Sequence, residues 1–204
     1  MRKLLFLGLL VALLVGVDLA ARAAAERRLE TRAVRAAGQG ATASAEIGSF
    51  PFLARLLLAG EVPEVSVRAE HVTAGPLTLD AVVLDLDGVS LDRSALYGGE
   101  VRLRDIDGGT VTVEFDAVLL ADALDVPVEI SAGALRVAVA GQPVTARAMV
   151  DNGELVVSVA GLPALRLVVP RTELSPCRAA EVTVVGDRLR LSCRIDSVPP
   201  GLLP

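Results

Sequence analysis

Ile47-Gly48-Ser49-Phe50-Pro51-Phe52-Leu53-Ala54-Arg55-Leu56-Leu57-Leu58-Ala59-Gly60 sets two of the chain's four phenylalanines on either side of a proline. Aromatic side chains bury the most apolar area per residue. A chain of 204 residues with no Trp and one Tyr must place them where burial counts. Pro51 fixes its own φ and holds Phe50 extended. A short helix from Phe52 to Ala59 follows, with Pro51 at or near its first position and Gly60 as its C-cap. Arg55 is its only charge. A helix apolar almost all round is deeply buried or touches lipid. Leu56, Leu57 and Leu58 point three ways: one direction can meet a sheet and another a cavity or a membrane, and plain core packing is the rival reading.

Upstream of this stretch the chain begins as an export signal. Arg2 and Lys3 precede an uninterrupted apolar run from Leu4 to Val17, which Asp18 ends. The run is short for a membrane span, which needs about 20 apolar residues, and suits a signal-peptide core. Ala23-Ala24-Ala25 meets a small-x-small cleavage rule. Asp18 and Arg22 are unusual before such a site, however, and Ala20 to Ala37 reads as one continuing helix. Residues 1–25 are therefore a signal peptide or an uncleaved signal anchor, and 26–204 a single domain outside the cytoplasmic membrane. From Glu26 to Ala37, Leu29, Ala33 and Ala37 repeat on one helical face, and Gly38 and Gly40 stop the helix.

Charge limits the partners. Beyond residue 25, seventeen basic residues face twenty-four acidic ones, and Lys occurs once, at Lys3. With no basic run, nucleic-acid binding is disfavoured, because it needs phosphate neutralisation. Attraction to anionic headgroups by charge alone is disfavoured likewise. A lipid would have to be held through an apolar cavity. Cys177 and Cys193 both lie in the exported part, where disulfides persist. Their spacing fits neighbouring antiparallel strands, and a bridge there would be worth roughly 3 kcal/mol. Two buried free thiols are the alternative.

Downstream the pattern changes to period two. Val65, Val67 and Ala69 alternate with polar residues in a half-buried strand. After a Gly75-Pro76 turn, a longer strand from Leu77 to Val89 shifts phase near Ala81-Val82-Val83-Leu84, which predicts a β-bulge or bend. Asp92 to Leu96 reads as a helical turn ending at Tyr97-Gly98-Gly99. Strands follow at Glu100–Asp107 and Thr110–Phe115. A helix then runs from the N-cap Asp116 to Leu124, with Val118, Leu119 and Ala123 inward. The last third is strand after strand, including the hairpin signal Asp151-Asn152-Gly153. About ten strands and two or three helices, joined by short hairpins, predict an α+β fold with a long, curved, mainly antiparallel sheet.

Catalytic chemistry finds few candidates. His71 is the one histidine and no Gly-x-Ser-x-Gly elbow is present,. Asp85/Asp87 and Asp105/Asp107 each face one way on a strand. Such pairs serve glycosidases or calcium, but solvated strand faces leading into glycine turns explain them as well. No metal, nucleotide or other cofactor motif is read, and the chain is expected not to be an enzyme.

Phe50-Pro51-Phe52-Leu53 after Gly48, Leu86-Asp87-Gly88-Val89, the Gly141 to Val144 turn, Asp151-Asn152-Gly153-Glu154-Leu155 and the closing hairpin together resemble the actinobacterial LmeA-type phospholipid-binding family. The resemblance implies a curved sheet wrapping one or two helices around acyl chains, like the tubular lipid-binding proteins. It also implies an envelope protein that binds phospholipid, of phosphatidylinositol type, and supports lipoglycan maturation. On this reading Phe50, Phe52, Leu53, Leu56 and Leu57 line the acyl-chain groove with Val83 and Leu84 of the sheet. The N-terminal segment meets the cytoplasmic membrane, and protein partners are unassigned. A non-catalytic envelope module without a cavity is the alternative, and a glycan hydrolase using Asp85 or Asp105 a third reading.

Overall fold

A computed structural model describes residues 2–74, 77–91, 103–168 and 180–199. The alternating segments become twelve strands, all paired antiparallel. They divide into two sheets. The first holds β1 (Thr42–Ile47), β2 (Glu61–Ala74), β3 (Leu77–Leu91), β5 (Gly108–Phe115), β12 (Arg188–Ile195) and β11 (Glu181–Val185) in that spatial order, with the short β4 (Leu103–Asp105) beside β3. The second is a meander of β6 (Val128–Ser131), β7 (Ala134–Val139), β8 (Gln142–Asp151), β9 (Glu154–Ser158) and β10 (Leu165–Val168). Three helices complete the described residues: α1 (Arg2–Ala37), α2 (Phe52–Leu58) and α3 (Ala117–Leu124). The fold is α+β, as expected, and built on open antiparallel sheets.

Turn chemistry explains the meander. Asn152 and Gly153 both take positive φ, 53° and 83°, the combination a two-residue type I′ hairpin demands. The same left-handed pair recurs at Ala132-Gly133 and Ala140-Gly141, so the second of these turns begins one residue earlier than the Gly141-Gln142 turn read from the sequence.

Long β2 and β3 are bent where the apolar phase slips. Val67 and Ala69 face the core, then Val72 and Ala74; across from them Leu79 is followed by Val82 and Leu84. Both strands change phase between the Glu70–Ala81 and Val72–Leu79 pairs, at His71 with φ 56°. Because the two slip together, the register is kept while the ribbon bends. The bend anticipated at Ala81–Leu84 thus lies at the start of that run.

The core at this end is filled solid. Leu79, Val82, Val111, Phe115, Leu120 and Leu189 are each 2% exposed or less. Asp116 caps α3 by accepting from the Leu119 amide at 2.7 Å, as expected. The helix then turns Leu120 inward and leaves Val118 67% exposed. Val118 was expected inside; with α3 starting at Ala117, the buried stripe passes through Leu120 instead.

The opposite face of the first sheet is polar and paired. Glu114, 2% exposed, accepts from Arg68 at 3.0 Å and Arg188 at 3.1 Å, and pairs with Arg190 at 2.8 Å. Arg188 also bonds Asp80, and Arg68 bonds Glu70. Burial pushes the Glu114 carboxyl up, but the Arg68, Arg190 and Arg188 guanidiniums outweigh it and hold it below the ordinary carboxylate value,. Cys193 faces the core on β12 at 9% exposure. Its expected partner Cys177 lies outside the described residues, as do the Gly75-Pro76 turn, the Asp92–Leu96 turn, Tyr97-Gly98-Gly99 and the first residues of the strand expected at Glu100–Asp107.

Candidate functional site

The apolar run and the Ala-rich helix behind it form one continuous helix, α1, of 36 residues. Its first half is bare: Phe6, Leu9, Leu13 and Leu14 are 60% exposed or more. It is long and apolar enough to cross a membrane. The second half lies along the edge of the first sheet. Glu26 accepts from the Ile47 amide at 3.0 Å and Glu30 from the Ala45 amide at 3.3 Å. The spacings match: four residues of helix rise about 6 Å, and two residues of strand advance about 6.7 Å. Two glutamates one turn apart therefore satisfy successive outward amides of β1, which would otherwise be an open sheet edge.

Asp18 makes the third attachment. Its two carboxylate oxygens accept the Phe52 amide at 3.0 Å and the Leu53 amide at 2.6 Å. These are the first amides of α2, which have no partner inside their own helix. Pro51 provides no side-chain cap of its own, so α1 caps α2 from outside. Asp18 is 5% exposed there, and the polar residue that ends the apolar run is consumed in this contact.

Between α1, α2 and the sheet lies a cavity of about 620 Å³, within the range of ligand pockets. Ala21, Ala24, Ala25 and Leu29 of α1 form one wall, and Phe52, Leu53 and Leu56 of α2 another. Ile47, Val62, Val65, Leu86 and Val89 make the floor, with Leu91, Leu103 and Val198 at its margin. Among the described residues only two charged ones line it, Arg28 and Arg32. The floor depends on a second phase slip. Val62 and Val65 on β2, and Leu86 and Val89 on β3, are three residues apart yet face the same way. Pro63 lacks an amide hydrogen at this point, and Gly88 has φ 59°. A Cβ on Gly88 would run into the Asp107 side chain, so the slip requires glycine.

Of the residues read from the sequence, Phe52, Leu53 and Leu56 come together in the cavity wall. Phe50 and Leu57 point outward, 62% and 48% exposed, beside Leu58 at 78%. The attachment of α2 to Asp18 fixes its rotation, and so decides which of the three leucines faces in. Leu84 is in the packed core at 1% exposure rather than in the cavity wall. Val83, half-buried, pairs with Arg68 and Thr112 on the polar face of the sheet. Sequence reading missed the α1 wall because Ala23-Ala24-Ala25 also reads as a cleavage site. The signal that would have found it is the helical spacing Ala21, Ala25, Arg28, Arg32, continuous through that site.

The acidic pairs stand elsewhere. Asp85, Asp87, Asp105 and Asp107 are exposed, Asp85 accepts from Ser66 at 2.6 Å, and none of them lines the cavity. Among the described residues no group of three or more His, Cys, Asp or Glu side chains gathers as a metal site.

A curved antiparallel sheet and two helices surround an apolar cavity. The model of the LmeA-like phospholipid-binding family matches residues 16–202, and the chain belongs to that family. The match begins ahead of Asp18 and runs through the expected cleavage point. No curated protein and no solved structure matches the chain.

Proposed function

We propose that this protein is a non-enzymatic phospholipid-binding protein of the cell envelope, held at the outer face of the cytoplasmic membrane by an uncleaved α1. In this reading the cavity takes the acyl chains of a phospholipid, of phosphatidylinositol type, in support of lipoglycan maturation. The apolar cavity walled by α1 and α2 is the observation that carries it. Retention of α1 is supported by Asp18, Ala21, Ala24 and Ala25: cleavage after Ala25 would remove the cap of α2 and much of one cavity wall together. Residues 26–204 then form the domain only with the help of 18–25. A Cys177–Cys193 bridge belongs to the same reading, since an exported domain keeps its disulfides.

Native mass spectrometry of the full chain, purified from an actinobacterial host in a mild detergent and followed by solvent extraction, tests this. The expected result is a discrete phospholipid adduct on a chain that retains residues 1–25. A clean unliganded mass with no uptake from added liposomes would favour an interaction module without a ligand. The same spectra, taken reduced and unreduced, are expected to differ by about two daltons for the bridge.

A further inference from the structure

Among the described residues the cavity wall carries two positive charges and no carboxylate. Arg28 and Arg32 stand four residues apart on one face of α1, where like charges repel. Neither makes a hydrogen bond or ion pair with any described residue. Several other arginines are matched: Arg22 with Glu26, Arg68, Arg188 and Arg190 with Glu114, and Arg166 with Glu154. The acids nearest to Arg28 and Arg32 along the helix, Glu26 and Glu30, are turned away to the β1 amides. An otherwise apolar cavity thus ends in two unpaired guanidiniums.

We propose that Arg28 and Arg32 bind the phosphodiester of the lipid headgroup, while the acyl chains lie back along Ala25, Ala24 and Ala21. This rests on the phospholipid reading above. Guanidinium forks match phosphate oxygens in geometry as well as charge. From Ala21 to Arg32 the helix advances about 16 Å, so headgroup and chains are separated along one wall. The order also sets the lipid's direction. Asp18 and the bare apolar half of α1 lie at the Ala21 end, and the arginines at the far end. A lipid leaving a bilayer that contains the first half of α1 would rise headgroup first, with its chains trailing, and would not invert.

Competition between a phospholipid and a diacylglycerol with the same chains tests the assignment, using the full chain and the double variant Arg28→Gln/Arg32→Gln. The wild type is expected to take phosphatidylinositol in preference to diacylglycerol. The variant is expected to lose that preference by about tenfold, and an unchanged urea-unfolding midpoint reports its intact fold. Arg28→Lys/Arg32→Lys is expected to keep part of the preference. A Gln variant that binds both lipids and still prefers the phospholipid would overturn the phosphate site and leave the cavity reading standing. A wild type that takes up neither lipid would overturn both. Displacement of the bound lipid by equimolar glycerophosphate would show a site for free phosphate and overturn the assignment to a lipid headgroup.

Discussion

One sheet is closed at one end and hollow at the other. Over β5 and β12, Phe115, Leu120 and Leu189 meet Leu79 and Val111 with almost no exposure. Over the β2–β3 end, Val62, Val65, Leu86 and Val89 are equally apolar but face open space. The strands do not differ in kind; their cover does. α3 brings Leu120 down onto the sheet, whereas α1 presents Ala21, Ala24 and Ala25. Alanine on a helix held at a fixed height leaves a gap that leucine would fill, and three carboxylates, Asp18, Glu26 and Glu30, fix the height. The void is therefore written into α1 rather than into the sheet.

Truncation at the closed end gives the largest effect on stability. Phe115→Ala is expected to cost about 4 kcal/mol in urea unfolding without changing lipid selectivity. A lipid defect at full stability would mean the two ends are not independent.

Glu114 tests the polar face behind both ends. Glu114→Gln leaves Arg68, Arg188 and Arg190 without their common carboxylate and is expected to cost about 3 kcal/mol. Its carboxyl titrates below the ordinary value near 4.5 in the folded chain. That contribution is therefore complete above this value and drains away as pH falls through the lower folded-state value. Acid unfolding followed by circular dichroism should begin at higher pH in an Arg68→Gln background, where Glu114 has lost one of the three guanidiniums that hold its carboxyl down,. An unchanged profile would assign acid sensitivity elsewhere.

At the hollow end, Asp18→Ala is expected to cost about 1–2 kcal/mol, the range of a lost helix cap, and to raise hydrogen exchange at Phe52 and Leu53 selectively. Uniform exchange across the domain would show that Asp18 supports more than α2. The smallest change in stability is expected from Ala25→Leu. Filling the void should alter unfolding by less than about 1 kcal/mol, yet lower phospholipid uptake in native mass spectra. Undiminished uptake would locate the chains outside the cavity.

The hairpins were legible because their chemistry is local. Asn152-Gly153 needs no partner to prefer a left-handed turn, and the Val and Leu alternation around it needs only a core. The short helix at Phe52 was legible for the same reason, from Pro51 before it and Gly60 after it. Its rotation was not. Three consecutive leucines look alike, and the choice of Leu56 over Leu57 for the cavity is made by Asp18, 34 residues away from Phe52. Val83 and Leu84 depend on where the strand slips: the slip at His71 comes before them, so Val83 goes to the Arg68 face and Leu84 to the packed core. Division into two sheets had no local signal, since a hairpin reads the same in either sheet.

The unbroken course of α1 bears on reach. A helix of 36 residues is about 54 Å long, and Asp18 ties it to α2 immediately beyond the apolar run, with no loose chain in between. Set in a bilayer, such a domain has no tether to pay out. It would stand at one height with one side turned to the lipid surface, unable to swing across to an opposing membrane. If α1 is kept and set in a bilayer as proposed, lipid handed onward from this cavity would have to be collected on the spot, by a visitor or a neighbour: a fixed post and not a ferry.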